Sequence, residues 1–313
     1  MSKTSPKVNW NKFEFEDYIN VKEDEITDLP HNLKISTMCA TGVLKSLINI
    51  TNIEKFLELD YDDVITVKID DDRNRTLIDK KKTKKLEKVV EKKKTNHFYN
   101  QITVVIRVNH QIPVIDWKIE PKINFKLFKN GSVQMSGCKS LRNINIALNK
   151  LIYKLKIIKS KIEDNKIVEK PFVEDVNTLG VDKFKIDMIN TNYQVNIQID
   201  RTKLFLLLFK KNIKVTFEPC ARACVIVKYT PPQDNVEQKE ISIFIFQKGN
   251  IIITGARRRS HIICAYEYIN NILLTHTDEI IKNDEKVEQE LIFSIYGDII
   301  KDVENGLLNI STN

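Results

Sequence analysis

The chain is predicted to be an α+β protein in which one antiparallel sheet is assembled from two related halves, with helices on a single face. Three observations predict it. A glycine-marked hairpin occurs twice, at one offset of 118 residues. An amphipathic helix pattern follows each hairpin. A strand, a short helix and further strands precede each hairpin in the same order, so the repeat covers whole halves rather than one motif.

The hairpins come first because they set the register. FKNGSVQMSGCK spans Phe128 to Lys139, and FQKGNIIITGAR spans Phe246 to Arg257. Phe128 meets Phe246, Gly131 meets Gly249, Ser136 meets Thr254, Gly137 meets Gly255, and Lys139 meets Arg257. The chain has only eight glycines, and four stand at these equivalent places, so coincidence is a poor account. Before the turns run INFKLF (123–128) and ISIFIF (241–246); after them run SVQMS and NIIIT. At Asn130-Gly131 and Lys248-Gly249, glycine supplies the positive φ that a tight hairpin needs.

Helical spacing then takes over. Leu141, Ile144, Leu148, Leu151, Ile152 and Leu155 form one apolar stripe. Ile262, Ala265, Tyr266, Ile269, Ile272 and Leu273 form the other. Upstream, a strand within 33–48 leads to the short helix NITNIEKFLELD, with Thr51 or Asn52 as its expected cap. The strands DVITVKID and QITVVIRV follow. The second half repeats the order with FKIDMINTNYQVNIQI, the helix DRTKLFLLLFKK, then IKVTFEP and ACVIVKYT.

Strand alternation sorts these residues onto two faces. One face carries Lys126, Phe128, Gln134 and Ser136 in the first half, and Phe244, Phe246, Ile252 and Thr254 in the second. The opposite parity, Ile123, Phe125 and Leu127 with Ile241, Ile243 and Ile245, is expected to lie under the helices. Both parities are apolar in 241–246, which implies that a partner covers the outer face part of the time.

Composition narrows the class. The 313 residues are 42% hydrophobic, enough for one large or two small cores. No apolar run approaches the roughly 20 residues of a membrane helix, so a soluble chain is expected, with no membrane partner. Five scattered cysteines fit no disulfide framework and point to a reducing compartment. The net charge of +8 is uneven: residues 79–94, DKKKTKKLEKVVEKKK, hold nine lysines and three acids. The rest of the chain is near neutral. There is no P-loop, GxGxxG or HExxH, and Cys220 and Cys224 are too widely spaced for a zinc knuckle. Neither an enzyme nor a cofactor is expected.

The element order, with F-x-x-G-x-x-x-x-[ST]-G-[AC]-[KR] twice, resembles the TATA-binding protein family over about 32–157 and 184–276. The resemblance implies two pseudo-symmetric repeats forming a saddle of curved antiparallel sheet, helices on the convex face, in a monomer. It implies a transcription initiation factor whose concave face binds, and bends, A+T-rich double-stranded DNA through the minor groove. In that family phenylalanines wedge between base steps. The wedge candidates are Phe128 and Phe246, with Arg222 at a second wedge position and Gln101, Phe98 or Tyr99 near its counterpart. The family's paired base-reading asparagines align with Leu33 and Met188, so Asn190 and Asn192 are the candidate replacements. Lys129, Lys139, Lys248 and Arg257 complete the expected DNA contacts. Glu218 stands where family members meet general transcription factor IIB, whereas Cys220 replaces a second acid there. RNA polymerase is the other implied partner.

The implied organisation is an N-terminal extension (1–31), repeat 1 (32–157) with a lysine-rich insertion at about 71–100, and a linker (158–183). Repeat 2 (184–276) and a C-terminal helical extension (277–313) complete it. The insertion reads either as a phosphate-contacting arm or as a solvated, disordered loop or targeting signal. A nucleus, or for a viral member a cytoplasmic virus factory or virion, is the implied location. The alternative function is a scaffold of the same fold that docks proteins of a transcription complex, with little or no sequence-specific DNA binding.

Overall fold

The computed structural model describes residues 8–22, 26, 28–70, 73–78, 100–109, 120–164, 166–232 and 240–282. The lysine-rich run, Phe98, Tyr99 and the chain beyond Lys282 lie outside the described residues.

In repeat 1, β1 (Lys34–Leu44) leads to α1 (Ile50–Phe56), β2 (Val64–Lys68), β3 (Asn74–Thr76) and β4 (Gln101–Arg107). The hairpin β5 (Lys122–Phe128) and β6 (Ser132–Cys138) then feeds α2 (Leu141–Lys156). A separate hairpin, β7 (Lys159–Glu163) and β8 (Lys166–Lys170), lies in the segment expected as linker. Repeat 2 runs β9 (Val181–Gln194), α3 (Arg201–Lys210), β10 (Val215–Thr216), β11 (Cys224–Tyr229), β12 (Ile241–Phe246), β13 (Asn250–Ala256) and α4 (Arg259–Thr275). The short α5 (Thr277–Ile280) follows.

Eleven strands make one antiparallel sheet in the order β10-β11-β12-β13-β9-β1-β6-β5-β4-β2-β3. Reading outward from the central pair, β9, β13, β12, β11 and β10 mirror β1, β6, β5, β4 and β2. Among the described residues, strand β3 has no counterpart. The pseudo-dyad therefore passes between β1 and β9, which pair from Lys34↔Asn192 to Leu44↔Val181.

The hairpin turns show why the repeat keeps its glycines. Gly131 and Gly249 have φ of +83° and +77°. A Cβ on Gly131 would stand 2.5 Å from the Leu44 carbonyl oxygen and 2.6 Å from that of Ser46. One on Gly249 would collide with the Val195 carbonyl and stand 2.7 Å from that of Ile197. Each turn is packed against the end of its repeat's first strand, so the position excludes any side chain.

The core fills the space between sheet and helices. Phe125, Leu127, Ile243, Ile245, Ile144, Leu148, Leu151 and Ile269 are all fully buried. Ser140 caps α2 by accepting from the Asn143 N–H, and Asp200 caps α3 through the N–H groups of Thr202 and Lys203. Helix α1 is capped by Asn49, which accepts from Asn52 N–H, rather than by Thr51 or Asn52. Among the described residues, no helix is long and apolar enough to cross a membrane.

Two features of the convex side were not foreseen. Helix α2 buries Lys150, whose Nζ donates to the carbonyls of Asp62 (2.7 Å), Arg107 (2.9 Å) and Val108 (3.2 Å). Lys154 meets the buried Asp63 carboxylate at 3.0 Å. Over this network lies the N-terminal segment. Trp10, 3% exposed, donates its indole N–H to Asp63 and packs edge-on against Tyr153. Farther along, the α2 amides of Asn145 and Asn149 bond the backbone of Glu16 and Tyr18 as an added strand would.

Candidate nucleic-acid interface

The face opposite the helices is assembled from alternate residues of every long strand. On β5 and β6, Asn124, Lys126, Phe128, Ser132, Gln134 and Ser136 point away from the buried parity. On β12 and β13, Ser242, Phe244, Phe246, Ile252 and Thr254 do so. The outward placement read from alternation thus describes the structure. Phe128, Phe244, Phe246 and Ile252 are half-buried, so aromatic and aliphatic edges are open on this face.

At the repeat 2 end, Asn192, Phe246, Lys248, Asn250 and Ile252 line a groove of about 570 Å³, with Arg201 at its side. Arg201 is held by a bond to the Ala223 carbonyl (2.8 Å) and lies 5.5 Å from the centre of the Phe217 ring. Phe246 faces Cys224 across the sheet, as Phe128 faces Gln101. Burial pushes the Cys224 thiol up, against the pull of Arg222 and Arg201. Arg222 itself is exposed in a turn two residues before β11, where its N–H and that of Ala221 bond the Glu218 carbonyl. Glu218 is exposed in the same turn.

Near the pseudo-dyad, Asn190 accepts from the Thr254 hydroxyl, which also lies 3.5 Å from the Met188 sulfur. With its oxygen engaged, the Asn190 amide keeps two N–H donors. Asn192 is exposed one pleat farther along. The register corrects the counterpart of Met188. Gln134 faces Thr41 and Ile252 faces Asn192, so Thr41 matches Asn192, Cys39 matches Asn190 and Thr37 matches Met188. Leu33 lies outside β1 and is 4% exposed in the core. Thr37, Cys39 and Thr41 join the candidate face, none of them picked out from sequence. Burial, then the Asp187 carboxylate, raises the Cys39 thiol above its ordinary range.

The basic residues divide. Lys129 and Lys248 are exposed beside the hairpin turns at opposite ends of the sheet. Lys139 and Arg257 are instead at the entries to α2 and α4. Lys139 lines a small cleft with Glu120 and Lys122. Arg257 lines a pocket of about 820 Å³ with Lys185, Asp187, Arg258 and Arg259, and its Nε is 3.4 Å from the Asp187 carbonyl. The structure does not bring these two into the groove around Phe246. Among the described residues there is no cluster of metal-ligating side chains, and all five cysteines are free.

A two-repeat antiparallel saddle, helices on one face and paired phenylalanines on the other, defines the class of protein. No family model matches the chain. It is 35% identical over 293 residues to a TATA-box-binding protein-like protein of Acanthamoeba polyphaga mimivirus, covering 87% of this chain and 74% of that one. It is 24% identical over 163 residues to the TATA-box-binding protein of Pyrodictium occultum, covering 52% and 67%. The solved TBP of Methanococcus jannaschii gives a TM-score of 0.45 at 16% identity, covering 79% of this chain and 99% of that one. The chain belongs to the TATA-box-binding protein family, as a divergent member.

Proposed function

We propose that the chain is a transcription initiation factor that binds A+T-rich duplex DNA, with the open face of the sheet laid in a widened minor groove. The observation that carries this is the symmetric, half-buried pair Phe128 and Phe246, one at each end of that face. Each ring enters a base step and unstacks it at a cost of a few kcal/mol, offset by the surface that the bent duplex wraps. Asn190, Asn192, Gln134, Ser136 and Thr254 supply polar contacts between the wedges. Lys126, Lys129, Lys139, Lys248, Arg222 and Arg257 supply positive charge within and around the site. Phosphate neutralisation gives affinity and salt dependence, without sequence information.

The turn carrying Glu218 is left at the edge of the saddle, accessible to a factor IIB-like protein while DNA is held; RNA polymerase would be recruited through such a complex. Chemistry on the nucleic acid is no part of this reading.

A bending assay by energy transfer between the ends of an A+T-rich duplex tests it. The wild type bends the duplex; Phe246→Ala and Phe128→Ala each remove one kink and weaken binding by roughly tenfold. Absence of binding at low salt overturns the reading and favours the protein-docking scaffold.

A further inference from the structure

The two repeats differ at the centre of each half. Across repeat 1 the register aligns Thr103, Lys126, Gln134 and Thr41 in one row. Across repeat 2 the equivalent row is Ile226, Phe244, Ile252 and Asn192. The flanking positions are matched: Phe128 with Phe246, Ser136 with Thr254. The row centres are opposites. Lys126 and Gln134 are both exposed, whereas Phe244 and Ile252 are half-buried and Ile226 is 3% exposed.

The two rows meet different chemistry if each lies on a minor-groove floor. A·T pairs of either orientation present only acceptors there, and a G·C pair adds the guanine 2-amino donor. Beneath Phe244 and Ile252 that amino group gains no acceptor and protrudes into apolar side chains, so a buried donor is left unpaired. Beneath Gln134 the amide oxygen accepts from it, while the amide N–H and the Lys126 ammonium serve the acceptors common to every pair.

Resting on the minor-groove reading above, we infer that the chain recognises an asymmetric site. Repeat 2 demands A·T pairs, and repeat 1 accepts either kind. Lys126 and Gln134 are the residues that relax specificity; Phe244 and Ile252 impose it. A chain of this kind has a built-in polarity, because it turns its tolerant half toward whichever half-site holds G·C.

The test uses the full chain and four duplexes at one salt concentration: A+T-rich in both halves, G·C-substituted in the left half, in the right half, or in both. For the wild type, G·C in either single half costs less than about threefold in Kd, because the protein reorients, and G·C in both costs tenfold or more. In the double variant Lys126→Phe, Gln134→Ile a single substituted half costs about tenfold. In Phe244→Lys, Ile252→Gln even the doubly substituted duplex costs less than about threefold. If wild-type penalties add symmetrically from the two halves, the inference falls while the minor-groove reading stands. If the wild type binds none of the duplexes, the minor-groove reading itself falls. Should a double variant fail to fold, the wild-type series decides alone.

Discussion

Replacing Lys150 by Met tests the polar network under α2. The lysine is fully buried, and its ammonium donates to three carbonyls, one just before β2 and two at the end of β4. Met fills a similar volume but gives up the three hydrogen bonds of the charged ammonium, each worth roughly 1.5–3 kcal/mol. Against this stands the relief of burying a charge. Burial lowers the Lys150 pKa from 10.5 to about 8, equivalent to about 3 kcal/mol of penalty on the charged form. The net loss at neutral pH is then about 3 kcal/mol. The folded pKa is depressed, so below pH 8 both folded and unfolded lysines are charged and the penalty is present in full. Between about 8 and 10.5 the folded state sheds its proton while the unfolded state keeps it, so stability rises with pH. Above that window both are neutral and the penalty is gone. The wild-type advantage over Lys150→Met therefore grows from about 3 to about 6 kcal/mol across the window. Asp63, whose carboxyl is pushed up by burial, is present in both proteins. Urea unfolding of the two at a series of pH values measures the difference. A difference that stays flat refutes the lowered pKa, and no difference at neutral pH refutes the worth assigned to the three hydrogen bonds.

Gly249→Ala places a Cβ against the Val195 and Ile197 carbonyls at φ +77° and is expected to cost about 2–4 kcal/mol, with Gly131→Ala comparable. Thermal unfolding checks both, and a shift of under a degree would contradict the packed turn. Trp10→Ala removes a buried indole and its bond to Asp63, costing about 3 kcal/mol in urea. It should also speed proteolysis between residues 8 and 22; unchanged cleavage would show that the segment does not depend on this anchor.

Sequence legibility followed the strength of local signals. The hairpins were readable because glycine at a turn and apolar alternation act within a dozen residues, and β12 falls on the predicted 241–246. Strand β10 keeps only Val215 and Thr216 of a predicted seven-residue run. The hairpin β7–β8 was missed because KSKIE and KIVEK carry charge at nearly every turn of the alternation. The counterpart of Met188 was misplaced by four residues, Leu33 for Thr37, because the hairpins repeat at 118 residues whereas Thr41 and Asn192 stand 151 apart. The extra chain between β1 and its hairpin leaves no spacing that carries one alignment over to the other. The N-terminal segment was invisible for another reason: Asn145 and Asn149 recognise backbone, which has no sequence signature.

Strand β9 pairs with β1 on one side and β13 on the other, so the junction of the halves has no free edge. That makes the two repeats halves of one folding unit rather than beads on a string. A fragment ending in the linker would present the eleven residues of β1 as an open edge. Its nearest substitute for β9 would be the β1 of another fragment. Joining two copies in one chain frees each repeat to change alone, which is how one half of the saddle can carry Lys126 where the other carries Phe244.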